Sequence, residues 1–135
     1  MSNWLKLLPT ELSLVDNFVE PEDDMQSNDN YVGDMTTELK KLYTLWKRLS
    51  EVAARSKVDY EFSNASTKEA LLAKWAELRE KAKTLRYIFW VCVQDEFPEL
   101  WSRESIGVRR GFKVVWSEEK DSGPEFFRQV FGDTN

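Results

Sequence analysis

Histidine does not occur in this chain, and cysteine occurs once, at Cys92. The first absence removes the commonest general base and the commonest zinc ligand. The second leaves no partner for a thiolate metal site or an intramolecular disulfide. An enzyme of this composition would be left with carboxylate, Lys or Tyr chemistry, or with an oxygen-ligated Mg²⁺ ion. Glycine is also sparse: Gly33, Gly107, Gly111, Gly123 and Gly132 form no cluster ahead of a helix, so nucleotide binding through a phosphate-cradling loop is disfavoured. The longest apolar run, Tyr87 to Val93, is seven residues, about a third of what a membrane-spanning helix needs. No charged stretch followed by an apolar one opens the chain as a secretory signal would. We therefore expect a cytoplasmic protein that does not cross a membrane.

What is present favours a folded chain. Apolar residues make up 41% of the 135, and six Trp and eight Phe carry more apolar surface than a disordered chain leaves in water. The net charge of -5 is unevenly spread. Residues 11–34 hold eight acids (Glu11, Asp16, Glu20, Glu22, Asp23, Asp24, Asp29, Asp34) and no Lys or Arg, so the rest of the chain carries +3. Glu20 to Asn30 shows neither helical nor strand periodicity and reads as a mobile acidic linker. Ahead of it, Trp4, Leu5, Leu7, Leu8, Leu12, Leu14, Val15 and Phe18 form a piece too short for a core of its own. The expected organisation is an N-terminal docking segment and acidic linker over 1–34, then one helical-hairpin domain with a β-ribbon over 35–135.

The fold expected for that domain is mainly α, of α+β type. Leu39, Leu42, Trp46, Leu49, Ala53, Ser56 and Tyr60 recur at alternating spacings of three and four, which makes an apolar seam on a helix over about 36–62, capped by Thr36 or Thr37. Leu71, Trp75, Leu78, Ala82, Leu85, Phe89 and Cys92 repeat the pattern over about 66–95, with Ser66 and Glu69 placed as a capping box. The connection around residues 63–65 is short enough to force an antiparallel, coiled-coil-like hairpin. Its aromatic end places Leu39, Leu42, Tyr43 and Trp46 against Leu85, Phe89 and Cys92, while its turn end is rich in alanine around Trp75. Because residues 87–93 are apolar on every side, Tyr87, Trp90 and Val91 are expected to be covered as well. Pro98 ends the second helix. Ile106/Val108 and Phe112/Val114/Trp116 alternate about Arg109-Arg110-Gly111 as a β-hairpin, and Pro124 opens a short terminal helix.

Several residues stand out as interaction candidates. Trp4 could enter a partner's groove, and a partly exposed Trp75 would mark a contact site. Asp95, Glu96 and Glu99 gather near the C-terminal end of the second helix, where negative charge is unfavourable. They either pair with Arg103, Arg109, Arg110 or Lys113, or join Glu104 around Mg²⁺. Arg109, Arg110 and Lys113 concentrate positive charge at the ribbon, but a chain of isoelectric point near 4.9 makes nucleic acid a disfavoured partner. The acidic segment could instead shield the mildly basic body and yield to a polyanion, or occupy a basic partner. No catalytic residue, metal ligand or cofactor site is assigned. A small non-catalytic intracellular protein that binds another protein is the preferred function, with a homodimer covering Tyr43, Leu72 or Trp75 as an option. The alternatives are a carboxylate/Mg²⁺ enzyme acting on a phosphorylated small molecule and a nucleic-acid-facing regulator using the ribbon turn.

Overall fold

A computed structural model describes residues 15–118. Two long helices are followed by the last strands of a three-stranded antiparallel sheet. The chain divides into two compact units: among the described residues one holds 15–19 and 36–96, the other 20–35 and 97–118. The expected terminal helix and the Trp4 segment lie outside the described residues.

In the helical unit, α1 (Thr37–Glu61) and α2 (Ala65–Glu96) form the antiparallel hairpin that the two seams predict. With 25 and 32 residues they are about 37 and 48 Å long. Thr36 caps α1, its hydroxyl accepting from the Leu39 amide at 3.3 Å. The cap of α2 is not Ser66. The Asn64 carboxamide accepts from the Thr67 amide at 3.2 Å and from the Thr67 hydroxyl at 3.0 Å. Ser66 donates to the same oxygen at 2.7 Å. Asn64 wins because it stands three residues before an amide that has no carbonyl partner inside the helix.

Leu39, Leu42, Ala53 and Ser56 from one seam and Ala82, Leu85, Phe89 and Cys92 from the other are buried. The aromatic end forms as the antiparallel pairing requires, with Phe89 5.4 Å from Tyr43 and 5.6 Å from Trp46 between ring centroids. Residues 15–19 lie along α1: the Val19 amide donates to the buried Thr44 hydroxyl at 2.8 Å, and Arg48 donates to the Asn17 carbonyl at 2.8 Å. Two expectations fail here. Tyr87 remains 61% exposed, since a phenol tolerates water where Val91 and Val93 do not. Tyr43 is 4% exposed, so it is core and offers no surface to a second copy.

The sheet unit contains more than the expected ribbon. β2 (Ser105–Arg109) and β3 (Lys113–Ser117) form the expected β-hairpin, with Val108 beside Val114 and Ile106 beside Trp116; Arg109, expected in the turn, ends β2, and Phe112, expected in the strand, lies in the turn. A third strand, β1 (Asp29–Asp34), pairs with the other edge of β3, giving the order β1-β3-β2. β3 is thus central, and both Val114 and Val115, which face opposite sides, are fully buried. The register slips between Tyr31 and Gly33. There the backbone bends beside Phe97, and a Cβ on Gly33 would stand 2.7 Å from that ring. Gly111 and Phe112 both adopt left-handed backbone, φ 84° and 58°, in the β2–β3 turn. The Met35 amide donates to the Phe112 carbonyl at 2.9 Å, which ties β1 to that turn.

Candidate interaction sites

Among the described residues, the ribbon cations Arg109, Arg110 and Lys113 have acidic partners within their own unit. Their partners come from residues 20–34. Arg109 grips Asp29 with two parallel hydrogen bonds, Nε to Oδ2 at 2.9 Å and Nη2 to Oδ1 at 3.1 Å. The Asp29 side chain is 1% exposed. Burial pushes its carboxyl up, but the hydrogen bonds from Arg109 and the Gln26 amide and the guanidinium charge outweigh that, leaving its pKa below the ordinary value. Arg110 Nε lies 3.1 Å from Asp24 Oδ1. Lys113 Nζ lies 3.8 Å from Asp34 Oδ1, which also accepts from the Tyr31 hydroxyl at 3.0 Å. That bond to Asp34 raises the Tyr31 pKa.

The acidic stretch is therefore not the free linker that its composition suggests. The Arg110 amide donates to the Asp23 carbonyl at 2.6 Å, and Arg110 Nη2 donates to the Glu22 carbonyl at 3.2 Å. The Gly111 amide donates to the Glu20 carboxylate. Arg103, the remaining candidate cation of the ribbon, has its guanidinium 3.7 Å from the Trp116 ring centre, a cation–π arrangement.

Asp95, Glu96 and Glu99 are exposed. Among the described residues no group of three or more carboxylate, His or Cys side chains is gathered as a metal site would need. Cys92 is buried, and its thiol is pushed up to about 11 by burial and then by the Asp95 charge, which keeps it protonated at neutral pH.

At the turn end of the helical hairpin, Trp75 is half-buried and stacks on Tyr60, with centroids 6.2 Å apart and planes 12° from parallel. Three cations surround the pair: Lys57 and Arg79 each lie 5.8 Å from the Trp75 ring centre, and Lys68 lies 5.4 Å from that of Tyr60. The same end carries apolar residues that the seams do not predict. Phe62 is 84% exposed and Val58 52% exposed, and with Ala54 they follow one another at intervals of four along the outer face of α1. Sequence did hold a signal for them. Phe62 lies about 200° around the helix from Tyr60, so if Tyr60 faces inward Phe62 faces out. Leu72, on α2, is 40% exposed.

These features define a helical-hairpin protein with a small antiparallel sheet, whose prominent groups are exposed apolar residues and Arg–carboxylate pairs. No helix among the described residues is long and apolar enough to cross a membrane. No protein-family model, curated protein or solved structure matches the chain.

Proposed function

We propose that this chain is a non-catalytic, cytoplasmic protein-interaction module whose contact surface is the turn end of the helical hairpin. The observation that carries this is Phe62, a large aromatic left 84% exposed beside exposed Val58 and Ala54. A helix end of neutral role would carry Lys or Glu there. A row of apolar side chains at helical spacing is what a partner's groove or helix uses as anchors, and aromatic residues dominate the energetics of such contacts. The half-buried Tyr60–Trp75 stack adds aromatic surface at the same end, and Lys57, Lys68 and Arg79 supply a cationic rim. The partner is another protein with an apolar patch rimmed by acids. A second copy of the chain could use this end as well, through Leu72 in place of the buried Tyr43.

The double variant Val58→Ser/Phe62→Ser tests this. Both side chains are exposed, so its stability should change by less than about 0.5 kcal/mol. A partner captured by the wild-type protein, identified by mass spectrometry and then purified, should bind the variant at least about tenfold more weakly. Equal binding of the purified partner to both proteins would rule out this surface. Sedimentation velocity on the pair separates self-association from binding a different protein.

A further inference from the structure

We infer that the β2–β3 turn is a binding site for an extended acidic peptide, occupied in this structure by the chain's own residues 20–24. This goes beyond the proposed hairpin surface, since it concerns the sheet unit alone.

The turn presents an outward set of donors: the Arg110 and Gly111 amides and the Arg110 guanidinium. Each is taken by the same stretch of chain. The Gly111 amide holds the Glu20 carboxylate. The Arg110 amide holds the Asp23 carbonyl at 2.6 Å, and its guanidinium spans the Glu22 carbonyl at 3.2 Å and the Asp24 carboxylate at 3.1 Å. Main-chain carbonyls are read together with carboxylates, which is recognition of a peptide. A phosphate backbone offers anionic oxygens but no carbonyls at that spacing, so a nucleic acid fits the donor set less well. The two successive amides of Arg110 and Gly111 both donate to the occupant, the arrangement of an anion-binding concavity.

Two classes of contact hold the stretch, and they differ in strength. Pro21 and Asp29 are anchors, the first fully buried and the second clamped by Arg109 with its side chain 1% exposed. The contacts made with the turn itself lie in water, with the Arg110 and Asp24 side chains 61% and 73% exposed. Exposed ion pairs are weak. A tethered weak contact persists because its local concentration is high, and it yields to a competitor offering the same groups in greater number. The Glu20 and Asp24 side chains and the main chain of residues 22–24 thus act as a cis occupant that keeps the turn masked until a longer or denser acidic peptide displaces them, while buried Pro21 and Asp29 stay in place.

The test uses the full chain, its Glu20→Ala/Asp24→Ala variant, and a fluorescein-labelled peptide copying residues 18–26, read by fluorescence anisotropy. The variant should bind the peptide about tenfold more tightly than the wild-type protein. Adding Arg110→Gln should abolish that gain, and a peptide with Gln and Asn replacing its acids should not bind. Equal affinity of wild type and variant, or binding that survives Arg110→Gln, would overturn the assignment. So would a variant that takes a 12-nucleotide single-stranded DNA in preference to the peptide. If circular dichroism shows the variant unfolded, wild-type protein is titrated with excess peptide while the Arg110 and Gly111 amide resonances are followed. Shifts confined to the turn support the site, and unmoved resonances refute it.

Discussion

Asp29 and Arg109 show what a single pair contributes. Burial by itself would favour the neutral acid at Asp29, and the bidentate guanidinium with the Gln26 amide reverses that preference. Because the folded-state pKa is depressed, the pair's stabilisation is fully present above the unfolded carboxylate value, about 3.9, and is lost as pH falls through the lower folded value. Asp29→Asn should therefore cost about 3 kcal/mol in urea denaturation at pH 7, because it leaves a mostly buried guanidinium without its anion. The wild-type protein should lose this part of its stability below about pH 4, and the variant should lack that component. Parallel pH profiles for the two proteins would contradict the role given to Asp29. Cys92 gives a second residue-scale outcome. With its thiol held near 11, it should react with a disulfide reagent at pH 8 at least about a hundredfold more slowly in the native protein than in denaturant. The charge of Arg109, Arg110 and Lys113 was legible in the sequence, but their partners were not. Those partners lie about 80 residues away and are set by strand pairing, which no local pattern reports.

Among the elements, the helices were legible almost to their ends because each carries its seam over several heptads, and a repeat that long has one physical solution. The capping residue is not the one the spacing predicts. Ser66 and Glu69 match the capping-box spacing, but Asn64 stands earlier and its carboxamide accepts from Thr67 first. Asn64→Ala should lower the melting temperature by the few degrees that correspond to about 1 kcal/mol, whereas Ser66→Ala should change it little. Thermal denaturation of the two variants separates them, and the reverse order would restore the capping box. β1 is illegible in the sequence for a different reason. Its alternation is broken at the bulge by Val32, only Tyr31 and Val32 among its six residues are good strand formers, and acids stand at both ends. The ribbon had five uninterrupted residues on each side of a glycine-containing turn, and so it was found. Phe62 and Val58 lie off the seam, and a seam reports only the inward face of its helix.

At the scale of the whole chain, acids with no neighbouring bases over 11–34 looked like a segment that folding had left out. Three of those eight acids are instead matched across the sheet unit, Asp24 to Arg110, Asp29 to Arg109 and Asp34 to Lys113. The sheet is sewn from two stretches, residues 20–35 and 97–118, with the entire helical hairpin inserted between them. During synthesis β1 therefore leaves the ribosome roughly 80 residues ahead of β3, at 5–20 residues per second several seconds early, and both helices can close on each other before its partner exists. A waiting strand made of Val and Ile would invite association with its neighbours on a polysome. Asp29 and Asp34, which later pair with Arg109 and Lys113, give β1 its charge in the meantime, so one set of side chains serves first as a solubiliser of the nascent chain and afterwards as the fastening of the finished sheet.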